Sequence, residues 1–245
     1  MIRHQCERLT GLALLCLIPV LIPAVVNALP VSPFTASYSG SLAVVNGAVN
    51  LRIDGILNMT LRDAGNGRYQ MNYDVNGLLG SVEAQANGEV VDNAVRPLNY
   101  RQTTKSLKRS QTQLTFNWQN QTLHIQEDDE RKTLPLPEAQ VMDPLSLYLL
   151  VMWDLQRGRA PEHYILVDGT KLKTYQVASQ GKETVQTPLG NLRTVRVSSK
   201  KSDPDSDRIT TFWFAPSLGY VPVQIVSEND GKETLRMLLQ ELKEK

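Results

Sequence analysis

The sequence predicts a chain dominated by β-structure: a curved antiparallel sheet, or an incomplete β-barrel, wrapped around one buried apolar helix at about residues 143–157. Three observations carry that expectation. Short runs of alternating apolar and polar residues recur about every ten to fifteen positions, the pattern of half-buried strands. The connections between them are short, whereas parallel pairing needs crossovers of a dozen residues or more. Past residue 28, one segment alone, following Asp143, is apolar at nearly every position.

The strands can be justified in chain order. Tyr69, Met71 and Tyr73 alternate after the turn Ala64-Gly65-Asn66-Gly67, where Gly67 takes a positive φ at little steric cost. Leu114, Phe116 and Trp118 share one strand face while Thr115 and Asn117 take the other. Gln119-Asn120 breaks that run and Leu123 and Ile125 resume it, which reads as a hairpin. Val195 and Val197 follow the turn Thr187-Pro188-Leu189-Gly190. Ile209, Thr211 and Trp213 form the next strand, and Val221, Val223 and Ile225 follow Leu218-Gly219-Tyr220.

The helix has signals at both ends. Asp143 is a good N-cap, Pro144 suits a first turn, and Arg157-Gly158 offers a cation and a C-cap glycine. Between them stand Leu145, Leu147, Tyr148, Leu149, Leu150, Val151, Met152, Trp153 and Leu155. A helix apolar on all sides is expected to be buried on all sides. The C-terminal stretch is ambiguous. Leu235, Leu238, Leu239 and Leu242 fit helical spacing slightly better than Leu235, Met237 and Leu239 fit a strand.

The first 28 residues have the layout of a secretory signal: Arg3, His4 and Arg8, then an uncharged apolar core over residues 12–26, then Val26-Asn27-Ala28. Cleavage is expected after Ala28, leaving one β-rich periplasmic domain over residues 29–245. The alternative is a retained anchor, but the core is shorter than the roughly 20 apolar residues of a span and holds Pro19 and Pro23. Cys6 and Cys16 both lie in the leader, so the mature chain has no thiol. Losing Arg3, Arg8 and Glu7 takes Lys plus Arg from 26 to 24 and Asp plus Glu from 25 to 24, a formal net charge of zero. Nucleic-acid binders usually carry a basic excess, so no nucleic-acid partner is expected. Nor is an integral outer-membrane barrel, which needs aromatic girdles that a chain with 6% aromatic residues does not supply.

Catalytic and metal constellations are weak. His124 and His163 have no second histidine at ligand spacing. Asp203, Asp205 and Asp207 open like a calcium loop, but Arg208 and Phe214 stand where Gly and Glu belong. The two Ser-x-x-Lys matches, at Ser179 and Ser198, lie in strand and turn sequence. No Gly-x-Ser-x-Gly elbow occurs. A non-catalytic protein without cofactor or metal is the expectation, with an unrecognised hydrolase as the remote alternative.

The ordered segments resemble a known family. They are Arg96-Pro97-Leu98-Asn99-Tyr100, a Phe-x-Trp hairpin, Met142-Asp143-Pro144-Leu145-Ser146 opening the helix, Thr187-Pro188-Leu189-Gly190, and Trp213-Phe214-Ala215-Pro216-Ser217-Leu218-Gly219-Tyr220. Their order and spacing are similar to those of the bacterial exported family catalogued as domain of unknown function 3108, over residues 34–242. The resemblance implies a curved antiparallel sheet, makes the C-terminal stretch a final strand, and carries over no catalytic residue. A looser likeness is to periplasmic lipoprotein carriers, whose curved sheet wraps helices around an apolar cavity; it concerns fold alone.

Two functions follow as expectations. The first is binding, carriage or chaperone-like handling of a lipid or other apolar envelope component held between sheet and helix, with Trp118, Tyr148, Trp153 and Trp213 as candidate contacts. Core packing is the ordinary role for the three tryptophans. The second is a scaffold acting on an envelope protein partner through its surface.

Overall fold

Among the described residues fifteen strands join edge to edge in one sheet, and the first and last of them lie side by side at its centre. The computed structural model describes residues 28–46, 49–78, 80–106, 109–159, 162–204 and 206–244. The expected leader falls, Ala28 excepted, outside the described residues. The first half is a continuous meander: β1 (Phe34–Asn46), β2 (Val49–Gly65), β3 (Arg68–Gly77), β4 (Gly80–Val91), β5 (Ala94–Lys105), β6 (Arg109–Asn117), β7 (Thr122–Glu127) and β8 (Glu130–Pro135). A two-residue β9 (Val141–Met142) and the helix α1 (Ser146–Gln156) follow. A second meander comprises β10 (His163–Asp168), β11 (Lys171–Thr187), β12 (Gly190–Lys201), β13 (Ile209–Ala215), β14 (Val221–Asn229) and β15 (Lys232–Glu244).

Every neighbouring pair is antiparallel except β9 and β10, which run parallel because α1 forms the crossover between them. The edges are β8 and β9, adjacent in sequence but joined by no ladder. The sheet therefore curls into a barrel that stays open along one seam. At that seam Gly169, in the β10–β11 turn, lies against the Glu127 carboxylate of the β7–β8 turn. The exposed β8 edge carries Glu130, Arg131 and Lys132, charges that discourage pairing with another chain.

The strand register sorts the turns into two rims. The β1–β2, β3–β4, β5–β6, β7–β8, β10–β11, β12–β13 and β14–β15 connections form the upper rim. The β2–β3, β4–β5, β6–β7, β11–β12 and β13–β14 connections form the lower one. Helix α1 crosses the lumen near the lower rim. Its first turn meets Tyr69 at the lower end of β3, and Gln156 Nε2, at its last residue, donates to the Gly219 carbonyl at 3.2 Å. Phe34, Tyr38, Met59, Leu61 and Met71 pack the lower lumen and are fully buried.

Two expectations about the helix need correction. Its regular turns begin at Ser146 rather than Asp143, because the Asp143 side chain, outside the helix, takes the free N–H groups of Leu145 and Ser146 at 2.8 and 2.9 Å. Nor is it buried all round. Its fully buried positions are Ser146, Leu149, Leu150, Met152 and Asp154, whereas Leu147, Tyr148 and Val151 are half-buried. The two buried polar residues are satisfied: Ser146 by Asp143 and Tyr69, Asp154 by Arg157 and by Tyr164.

The C-terminal segment is a strand, as the family resemblance implies. Its helical spacing yields because β15 finds ladder partners on both sides, β1 and β14, and Met237 and Leu239 are buried on its inner face. Tertiary pairing here outweighs local periodicity.

Candidate functional site

Along β3 the inward residues change character: Tyr69 and Met71 are fully buried, then Tyr73 and Val75 are half-buried. The same change runs along β1, from Ala36 and Tyr38 to the 48%-exposed Leu42. Above that level the lumen is hollow. A cavity of about 1000 Å³ lies between the helix and the upper rim. That is the upper end of the range for small-molecule sites, about 300 to 1,000 Å³.

The cavity's floor is a helical stripe of Leu147, Tyr148 and Val151, at the spacing of one helix face. Its walls include Val75, Ala84, Leu166, Val197, Phe212 and Met237. Tyr148 meets Phe212 edge to face at 5.7 Å, and Phe212 stacks with Phe214 at 5.9 Å, geometries favoured by the aromatic quadrupole.

Five tyrosines line the cavity, Tyr164 and Tyr175 bonded to Asp154 and Asp168, and Tyr73, Tyr100 and Tyr148 in its apolar wall. Burial pushes the last three up, Tyr73 to about 12, so each is a neutral hydroxyl at physiological pH. Tyr100 donates to Gln102 Oε1 at 2.6 Å. Tyr73 and Tyr148 line the cavity and make no hydrogen bond to another described residue.

Charge gathers at the upper rim. Lys201 pairs with Asp168 at 3.1 Å and Asp203 at 3.5 Å, Lys173 pairs with Asp203 at 3.6 Å, and the Tyr175 hydroxyl donates to Asp168 at 3.3 Å. Arg208 also lines the cavity and makes no ion pair among the described residues. It stands close enough to the Tyr73 and Tyr175 phenols to pull both downward against the larger effect of burial. Lys105 and Glu83 pair at 2.8 Å on the outward register of β5 and β4, opposite the inward Thr104, Gln102 and Ala84.

The floor is held by a buried polar relay. The Tyr69 hydroxyl donates to Ser146 Oγ at 2.6 Å, and Ser146 Oγ donates to the Asp143 carboxylate. Asp143 is fully buried; burial pushes its carboxyl up to about 6, although the N–H and O–H groups it accepts from hold it down. The Tyr69 ring has room because position 88 is glycine: a Cβ there would stand 2.3 Å from the phenol oxygen.

Of the sequence-derived candidate contacts, Tyr148 lines the cavity and the three tryptophans do not. Trp118, just past β6, stacks with Phe116 and donates to the Pro97 carbonyl at 2.7 Å. Trp153 lies under the Arg157 guanidinium, 3.8 Å from the ring centroid. Trp213 points away from the cavity between Phe212 and Phe214, and its buried indole N–H has no partner among the described residues. Sequence reasoning passed over Phe212, Phe214, Tyr100 and Arg208. In Phe212-Trp213-Phe214 both strand faces are apolar, so alternation cannot say which face points inward.

Among the described residues no three His, Cys, Asp or Glu side chains are grouped to hold a metal. Asp203 and Asp207 are engaged with lysines. No helix of the described residues is long and apolar enough to cross a membrane.

The family model for proteins of unknown function DUF3108 matches residues 34–240. The chain belongs to the DUF3108 family. No functionally curated protein matches this DUF3108 chain. Among solved structures it is similar to the crystal structure of a beta-barrel-like protein of domain of unknown function DUF1849 from Brucella abortus. The TM-score is 0.61 and the identity 11%, over 89% of this chain and 100% of that one. At that identity the likeness concerns the fold: a curled, barrel-like sheet shared by two families of unknown function.

Proposed function

We propose that this DUF3108 protein is a non-catalytic periplasmic binding protein, a carrier or chaperone-like holder for an apolar envelope component seated in the cavity above α1. The observation that carries this reading is the helix face of Leu147, Tyr148 and Val151, which the fold leaves turned toward the hollow instead of into packed side chains. At about 30 Å³ per water, the space would hold on the order of thirty waters against largely apolar walls. Replacing them with hydrocarbon is favourable by about 25 cal/mol per Å² buried. The secretory layout of residues 1–28 supports the compartment.

The test is a native mass spectrum of protein expressed in full in a bacterial host and purified without detergent, followed by solvent extraction. A stoichiometric, extractable lipid-like adduct supports the reading. A bare polypeptide mass from folded protein speaks against it.

A second reading, a surface-acting envelope scaffold, draws on Leu78, which is 87% exposed at the upper-rim tip of the β3–β4 hairpin, and on Ile56, 55% exposed. It predicts that crosslinking at Leu78 captures an envelope protein whether or not the cavity is filled.

A further inference from the structure

The cavity's polar groups are not scattered. The charged residues along the cavity are Asp168, Lys201 and Arg208 on the inward side and Asp54 and Lys105 on the outward register of β2 and β5; Lys201 pairs with Asp168 and Asp203, and Lys105 with Glu83. Arg208 is left over, at the junction between the rim and the apolar lumen. Below it, the Tyr73 and Tyr148 hydroxyls have no acceptor among the described residues. A cation with two unengaged donors beneath it, above an apolar hollow, is complementary to an acceptor-rich anion attached to hydrocarbon. A guanidinium is well suited to that role, because its planar fork matches carboxylate and phosphate oxygens.

The geometry points to an amphiphile with an anionic oxyanion head, seated at Arg208 and Tyr73, whose tail runs down against Phe212, Leu147 and Val151. This rests on the cavity being the ligand site and names the class of ligand it takes. The rim network selects by charge: a cationic head meets an uncompensated guanidinium, and an uncharged head leaves that cation unused. Carboxylate and phosphate heads share the chemistry, and the head that depends more on Arg208 is the one the site is built for.

The experiment is calorimetric titration of the full-length protein, as wild type and Arg208→Gln, with oleate, oleyl alcohol and oleoyl lysophosphatidate. Arg208 is exposed and its replacement removes no core contact. The expected result is that oleate or the lysophosphatidate binds wild type about tenfold more tightly than the alcohol. That preference should collapse in Arg208→Gln while alcohol binding stays unchanged. Equal binding of all three to wild type, or an equal loss of all three in Arg208→Gln, overturns the head-group inference and leaves the cavity as an apolar site. No binding of any of the three overturns the cavity reading as well. Inorganic phosphate binding at the same strength as the lysophosphatidate would show a free-anion site and also overturn the inference.

Discussion

The Tyr69 hydroxyl reaches 77 residues along the chain to donate to Ser146 Oγ at 2.6 Å, and this bond ties the lower end of β3 to the first turn of the helix. It fixes where the cavity has its floor. Ser146 hands the interaction on to Asp143, whose carboxylate also closes the helix's open N–H groups. Tyr69→Phe removes one donor and leaves Ser146 bonded to Asp143, so it should cost about 1 kcal/mol. Gly88→Ala should cost more, roughly 1–3 kcal/mol or above, because its methyl meets the same phenol. Urea midpoints for the two variants check both the sizes and their order.

The relay has a pH signature. Burial pushes the folded-state value of Asp143 up to about 6, while an unfolded chain titrates near 4. A folded value above the unfolded one means that this group's contribution is complete below about pH 4 and falls away as pH rises through 6. Asparagine carries no charge at any of these values. The stability of wild type relative to Asp143→Asn should therefore decline by roughly 2–3 kcal/mol between pH 4 and pH 7. A gap that stays flat, or widens with pH, would show that the carboxylate is not held in the buried relay.

The aromatic residues separate cavity from core. Trp118→Phe strands the Pro97 carbonyl and should cost about 1 kcal/mol. Trp213→Phe deletes a buried N–H that had no acceptor, which offsets part of the lost volume. Neither ring lines the cavity, so neither change should alter uptake of an apolar probe. Tyr148→Ala, on the floor, should weaken uptake about tenfold through lost apolar contact. Fluorescence titration of the three variants with one neutral probe makes the comparison.

Much of this fold is legible in the chain. The alternation at Tyr69, Met71 and Tyr73 and the turns at Gly67 and Gly219 place strands where the structure has them. The one apolar segment past residue 28 is the helix. Its setting is less legible, because an all-apolar surface does not distinguish a face packed against side chains from a face turned to a hollow. Leu149 and Leu147 look alike in sequence and differ only in what the sheet leaves opposite them. The tryptophans mislead for a related reason. Size and scarcity suggest contact with a ligand, but Trp118 and Trp153 are engaged by a carbonyl and a guanidinium, and the strand parity of Trp213 is set by long-range register. Arg208 lies in a charged turn and gains meaning only when Lys173, Lys201, Asp168 and Asp203 are seen to satisfy one another.

The central claim is that the hollow above α1 is where a ligand sits, and Val151 tests it most directly. Val151→Trp projects an indole from the floor into the cavity without touching the relay at Asp143. Wild type and variant would be titrated with N-phenyl-1-naphthylamine, a neutral apolar fluorophore, with thermal melts confirming that both are folded. Saturable one-to-one uptake by wild type and its loss in folded Val151→Trp is the predicted result. No saturable uptake by wild type, or uptake unchanged by the indole, would contradict the account.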